Sequence, residues 1–263
     1  MQLRKARKGD VPALYTLWEA AFGDTKETVD LFFETCFQMQ NTLVAVCDGQ
    51  VRSVIYLLRN TLQNGADSFT ASYIYAAATE EAYRGRGLMR AVLAYAAETE
   101  TARGTDFLYL VPASAHLFQY YAHCGFQTAF KKQTCAFSRA ELQTFAKNAE
   151  CTVPYIAWNQ AVLLFSEKLA QQFGAQSLSC KDGFVLWEQT GDEAEISALY
   201  AADGKLSPLL GALLKICTAQ RFTLPLPCTA AAETCARTAM LQALSPRAKA
   251  QNIQNAYIGL TLG

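Results

Sequence analysis

An α/β layer fold, with a mostly antiparallel sheet flanked by helices, is predicted by three observations. The first is a series of strand-like runs joined at Asp48-Gly49 and Asn64-Gly65, dipeptides that supply the left-handed backbone of tight hairpins. The second is the apolar run Ala71–Ala78, then the glycine-rich basic turn Arg84-Gly85-Arg86-Gly87, then a helix-like run from Leu88 towards Thr99. The third is a fainter copy of this strand–helix–strand rhythm in the second half of the chain.

Taken in order, Gln2–Arg7 alternates like a first strand, and Gly9-Asp10 reads as the cap of a helix. That helix carries Ala13, Leu14, Leu17, Trp18, Ala21 and Phe22 on one face and stops at Gly23-Asp24. A second helix over Lys26–Gln38 presents Val29, Phe32, Phe33 and Cys36. Three strands follow, Thr42–Cys47, Val51–Leu62 and Ser68–Ala78. Beyond the basic turn and its helix, Asp106–Val111 reads as a short buried strand. Ser114 reads as the cap of a helix from Ala115 to Cys124, and Gly125-Phe126 turns that helix into a strand through Phe137.

In the second half, Tyr200-Ala201-Ala202 matches Tyr75-Ala76-Ala77, and Thr223–Pro227 stands in the place of Leu108–Pro112. Between them lies a helix that reads as capped by Ser207, with Pro208 at its first position. Hairpins are expected at Asp182-Gly183 and Gly191-Asp192. This copy is ten residues shorter, and the shortfall falls where the basic turn stood. The pattern supports a tandem duplication with domains 1–145 and 146–263. An unrelated α+β tail with common patterning is the alternative reading.

Composition narrows the function. Formal net charge is zero, which gives no footprint for a polyanion and argues against nucleic acid as a partner. No run of about 18 apolar residues appears, and the N-terminal residues lack the apolar stretch of a signal peptide, so no membrane association is expected. Nine cysteines, an odd number without paired metal-type spacing, read as small core residues in a reducing cytoplasm. With two histidines, His116 and His123, a multi-histidine metal site is excluded, so no metal is expected, and a serine–histidine–acid hydrolase has little support.

The basic turn carries the chemistry. Strand, glycine-rich turn and helix together form a layout that holds a diphosphate. Glycines allow close backbone approach, the first N–H groups of the helix are unpaired, and the helix dipole adds partial positive charge. Arginines supply the remaining neutralisation through planar, multi-donor contacts. Taken alone, such a turn is a solvated basic loop; the flanking strand and helix give it meaning.

Tyr83–Met89 resembles the pyrophosphate loop of the GNAT superfamily of acyl-CoA-dependent N-acyltransferases, written Q/R-x-x-G-x-G/A, with Arg84 at the first position and Gly87 at the fourth. Met89 departs at the sixth, where a small residue is usual. A larger residue there is similar to the enhanced-intracellular-survival branch, which keeps R-x-x-G followed by two apolar residues and another arginine. The run Phe118–Phe126 resembles the late helix of the superfamily, ending in F-Y-x-x-x-G-F, and the opening resembles its first strand and helix. The resemblance covers residues 1–140.

It implies a GNAT-like fold in tandem, acetyl-CoA as acyl donor, and a small-molecule amine or a protein amino group as acceptor. It implies backbone contacts to the pantetheine from Ala77, Ala78 and Thr79, and diphosphate binding by Arg84, Gly85, Arg86, Gly87, Leu88 and Met89. Tyr121 is implied as general acid to the departing thiolate, with a hydroxyl of ordinary pKa near ten. By itself Tyr121 reads as a half-buried packing tyrosine with a wet hydroxyl ahead of an acid, and only its position in the motif brings the two readings level. Glu80 and Glu81 follow the strand, but no general base is assigned. Trp18 and Phe22 read as core, or as walls of an acceptor pocket. The acidic residues Glu19, Asp24, Glu27, Asp30 and Glu34 read as an exposed face. The competing readings are a non-catalytic acyl-CoA-binding or regulatory module, and transfer of a longer acyl group. Acceptor identity and oligomeric state are unassigned.

Overall fold

The computed structural model describes residues 1–180, 183–228 and 235–262. The elements in chain order are β1 (Gln2–Lys5), α1 (Val11–Phe22), α2 (Lys26–Thr35), β2 (Thr42–Cys47), β3 (Gln50–Asn64), β4 (Asp67–Thr79), α3 (Leu88–Ala102), β5 (Phe107–Leu110), α4 (Leu117–His123) and β6 (Gln127–Ser138). They continue with α5 (Arg139–Phe145), β7 (Tyr155–Ala157), α6 (Gln160–Gln172), β8 (Gln176–Cys180), β9 (Gly183–Thr190), β10 (Glu193–Ala201), α7 (Ser207–Ile216), β11 (Arg221–Pro227), β12 (Ala236–Ala243) and α8 (Pro246–Lys249). The chain divides into two compact units. One comprises Met1–Asn60, Thr70–Gln127 and Met240–Gln251; the other comprises Thr61–Phe69, Thr128–Ala239 and Asn252–Gly263.

In the first unit the strand order is β1-β2-β3-β4-β5-β12. β1, β2 and β3 run antiparallel, and the turn between β2 and β3 places Asp48 and Gly49 at φ 52° and 75°, as the Asp-Gly dipeptide predicts. β4 and β5 run parallel, paired from Ala71–Ile74 to Phe107–Leu110. β12 closes the far side antiparallel to β5, with Met240 opposite Leu110.

Strand alternation sends Leu43, Ile55, Ile74 and Leu108 to one face, where Leu88, Val92, Leu93 and Ala96 of α3 cover them. Tyr56 and Tyr75 emerge on the other face and meet Trp18 of α1 at ring distances of 5.5 and 5.7 Å. Phe32 of α2 completes that aromatic layer. Gly23 ends α1 at φ 69°, with its N–H bonded to the Glu19 carbonyl at 3.0 Å.

The C-terminal part of α3 is anchored by a buried carboxylate. Glu100 is fully buried and accepts from the Ser72 hydroxyl of β4 at 2.5 Å, the Thr105 hydroxyl at 2.8 Å and the Arg103 guanidinium at 2.9 Å. Removing it strands two hydroxyls and breaks the ion pair of Arg103, whose guanidinium keeps Asn41 and the Gln40 carbonyl. Glu100→Ala is therefore expected to lower unfolding free energy by about 3 kcal/mol, read as a reduced urea midpoint at unchanged slope. A midpoint equal to wild type would show that the network contributes nothing.

The second unit repeats this scheme. Its order is β6-β11-β10-β9-β8. β9 and β10 form an antiparallel hairpin, α7 crosses over, and β11 returns parallel to β10, with Glu193–Glu195 paired to Arg221–Thr223. β6 lies antiparallel to β11. Leu209, Leu210 and Leu213 of α7 pack on Val185, Ile196, Leu199 and Phe222. β7 pairs with the outer part of β3, from Ala157 opposite Thr61 to Tyr155 opposite Gln63. Beyond the paired part of β10, the C-terminal segment enters the unit. Leu199 donates its N–H to the Gly259 carbonyl at 2.9 Å, and the buried Tyr257 hydroxyl lies 3.0 Å from the carbonyl oxygens of both Leu199 and Pro225.

Several local expectations are corrected. Asp10 does not cap α1; its carboxylate takes two bonds from Arg4 and one from the Arg7 N–H, closing the preceding turn. The α4 helix starts at Leu117, because Ser114 bonds the His116 ring at 3.1 Å instead of capping. Ser207 lies inside α7 and donates to the Ala149 carbonyl at 3.1 Å. The second helix ends at Thr35. Cys228 and Cys235 form a disulfide, against the expectation of uniformly reduced cysteines; their Cα atoms are 6.1 Å apart, within bridging range. Cys36 and Cys217 are buried and carry no disulfide. The expected turn at Asp182-Gly183 falls partly outside the described residues. No helix among the described residues is long and apolar enough to cross a membrane.

Candidate active site

The β4 strand carries the first component of the site. Its pairing with β5 ends at Ile74, and two residues later Ala76 adopts φ 46°. A left-handed alanine inside a strand bends the backbone as a bulge does. The next residues, Ala77, Ala78 and Thr79, line a cavity of about 690 Å³. The strand therefore leaves its neighbour just before the residues that the resemblance assigns to the pantetheine.

The turn supplies the second component. A short helical turn over Glu81–Tyr83 leads to Arg84, whose Nε donates to the Thr79 carbonyl at 3.2 Å. Gly85 and Gly87 adopt φ 74° and 80°, and a Cβ at either would meet nothing within 4 Å. Glycine is required there by backbone conformation, not by crowding. The first bond of α3 runs from the Ala91 N–H to the Gly87 carbonyl at 3.0 Å, so the N–H groups of residues 88–90 lie outside the helical ladder. Arg84, Gly85, Gly87, Leu88 and Met89 all line the cavity. Met89 also packs on the core beneath α3, as a larger side chain pointing away from the backbone site requires.

Tyr121 of α4 lines the same cavity and is 9% exposed. Its ring stands edge-on to Phe126 at 6.1 Å. Burial pushes its hydroxyl up to about 12, with Tyr120 and Cys124 adding smaller effects. This corrects the expectation of an ordinary value near ten. Tyr120 shares the cavity but is 37% exposed, so the two neighbours are separated by environment.

Of the predicted cofactor-binding residues, Arg86 alone does not line the cavity. Its guanidinium lies 4.8 Å from the centroid of the Tyr83 ring. Sequence reasoning missed Tyr83 and His116, which do line it, as do Arg90 and Phe22, the latter read as core or as a wall of an acceptor pocket. Phe22, at the end of α1, is 45% exposed. Trp18 is core, with its indole N–H donated to Asp24 at 2.7 Å.

The charge of the cavity is one-sided. Arg84 and Arg90 line it, and among the described residues no carboxylate does. Glu80 and Glu81 line an adjoining cleft of about 520 Å³, which shares Ala21, Thr79 and Arg84 with the first. Glu80 is ion-paired with Arg52. The arrangement can take a long ligand that is anionic at the turn and runs along the end of β4 further in. Among the described residues no cluster of three or more metal-ligating side chains occurs.

Residues 2–129 match the family model of an acetyltransferase (GNAT) domain. The crystal structure of a GCN5-related N-acetyltransferase from Kribbella flavida is similar over 94% of this chain and 73% of its own, with TM-score 0.63 and 15% identity. That of Eis1 from Mycobacterium abscessus is similar over 93% of this chain and 74% of its own, with TM-score 0.67 and 13% identity. A GCN5-related N-acetyltransferase from Anabaena variabilis gives 93%, 73%, 0.64 and 13% for the same measures. At these identities the likeness is one of fold. No curated protein matches the sequence.

Proposed function

Since the chain carries an acetyltransferase domain of the GNAT superfamily, we propose that it is an acetyl-CoA-dependent N-acetyltransferase acting on a primary amine of a small molecule or protein. The carrying observation is the convergence of Ala77–Thr79, the Arg84–Met89 turn and Tyr121 on one cavity. Backbone groups of β4 past the Ala76 bend would pair with the pantetheine amides, and one N–H would polarise the thioester carbonyl. The nitrogens of the turn, together with Arg84 and Arg90, would hold the diphosphate. Tyr121 would donate its proton to the departing thiolate. Amine and thioester held together in a ternary complex supply proximity. This activity is assigned to residues 1–145, and residues 146–263 to a degenerate copy.

One observation favours a second reading, a non-catalytic acyl-CoA-binding module: among the described residues no carboxylate lines the cavity to act as a base. An amine arriving neutral, or a base acting through water, reconciles the same fact with catalysis. Thiol release from acetyl-CoA over a panel of amines tests the proposal. Amine-dependent release supports the transferase; CoA binding without release on any amine supports the module.

A further inference from the structure

The tyrosine that precedes the turn is held by three elements at once. The Tyr83 ring has the Arg52 guanidinium of β3 at 4.6 Å and the Arg86 guanidinium of the turn at 4.8 Å from its centroid. Its hydroxyl reaches the Asp48 carboxylate, in the β2–β3 turn, at 3.4 Å. Arg52 is fixed in its turn: its side chain is ion-paired with Glu80, and its carbonyl accepts the Glu80 N–H at 2.9 Å. The Arg52 Nε is buried without a hydrogen-bond partner, a cost that the ring contact and the ion pair together offset. Without such a hold, three arginines in seven residues (Arg84, Arg86, Arg90) would repel one another around an unfilled anion site.

We propose that Tyr83 is a positioning residue for acyl-CoA: gripped by Arg52, its ring holds the Arg86 guanidinium and thereby keeps the glycine turn in its anion-binding shape before the nucleotide arrives. This rests on the site reading above. It accounts for Arg86 lying off the cavity while its neighbours line it. The ring is the working part, and the hydroxyl is dispensable, because its contact to Asp48 is long.

The test is steady-state kinetics of the full chain with acetyl-CoA, together with calorimetric titration by CoA, for Tyr83→Ala, Tyr83→Phe, Arg86→Ala and the double variant Tyr83→Ala/Arg86→Ala. Tyr83→Ala is expected to raise the KM for acetyl-CoA, and the Kd of CoA, by about tenfold. Its kcat and the KM of the acceptor should stay within about twofold of wild type. Tyr83→Phe should restore wild-type binding. The double variant should bind no worse than Tyr83→Ala, because both substitutions break one contact. Arg86 is exposed, so Arg86→Ala, expected to weaken binding several-fold, carries the same reading if Tyr83→Ala does not fold.

Wild-type affinity in Tyr83→Ala, equal loss in Tyr83→Phe, or full additivity in the double variant would overturn the positioning role while leaving the site intact. Failure of the wild-type chain to bind CoA would overturn both.

Discussion

Gly87→Glu is expected to abolish CoA binding. The position has φ 80° and caps α3 at the point where its free N–H groups emerge. Any L-residue there adopts a left-handed backbone at a cost of about 1–2 kcal/mol. The glutamate then places a carboxylate where the anion must sit. A negative group at a helix N-terminus is favourable to the helix itself, and nothing lies within 4 Å of the new Cβ. The fold should therefore survive while the ligand's place is taken by the protein's own charge. Gly87→Ala separates the two effects, with a modest loss from backbone strain alone. Titration calorimetry with CoA reads both. Micromolar binding by Gly87→Glu would place the diphosphate elsewhere on the chain.

Tyr121→Phe is expected to lower kcat by about 10²-fold, with the KM for acetyl-CoA close to wild type. The ring remains, so its edge contact with Phe126 and the cavity wall are kept, and only the proton donor is lost. Burial raises the hydroxyl to about 12, which keeps it protonated across the working range and makes it a weaker acid than a solvated tyrosine. The loss is therefore placed at the low end of what acid catalysis contributes. The same shift fixes a pH profile. The active form is the protonated one, so Tyr121 imposes no fall in kcat between pH 7 and 10, and its alkaline limb lies as pH approaches 12. Unchanged turnover in Tyr121→Phe would remove this residue from the mechanism. A limb near pH 10 that disappears in the variant would show a solvated hydroxyl.

Much of the site was legible because its signals are local. Gly85 and Gly87 stand where the backbone is left-handed, and Leu88 begins the helix that the apolar spacing predicted. Tyr121 was placed by its spacing from Gly125. The bend that opens the sheet was not legible, because Ala76 carries it and alanine gives no sign of a left-handed backbone. Nor was β12, which pairs with β5 across more than a hundred intervening residues; pairing at such range leaves no local pattern. The displacement of Arg86 onto Tyr83 was hidden for a similar reason. Sequence shows three arginines around a turn, but the Arg52 that organises them comes from β3. An aromatic residue directly before the turn was the one available hint. The capping errors at Asp10, Ser114 and Ser207 share a cause. Each side chain found a stronger or nearer partner than the helix end its position suggested.

The C-terminal segment changes what the repeated architecture can do. In the second unit, Gly259 already accepts the Leu199 amide and Tyr257 already sits between the carbonyls of β10 and β11. The polypeptide thus occupies the space beside β10 and β11 with its own C-terminal segment. On the proposed reading, the chain is therefore expected to saturate at one coenzyme molecule, held by the first unit, because the C-terminal segment already fills the space beside β10 in the second.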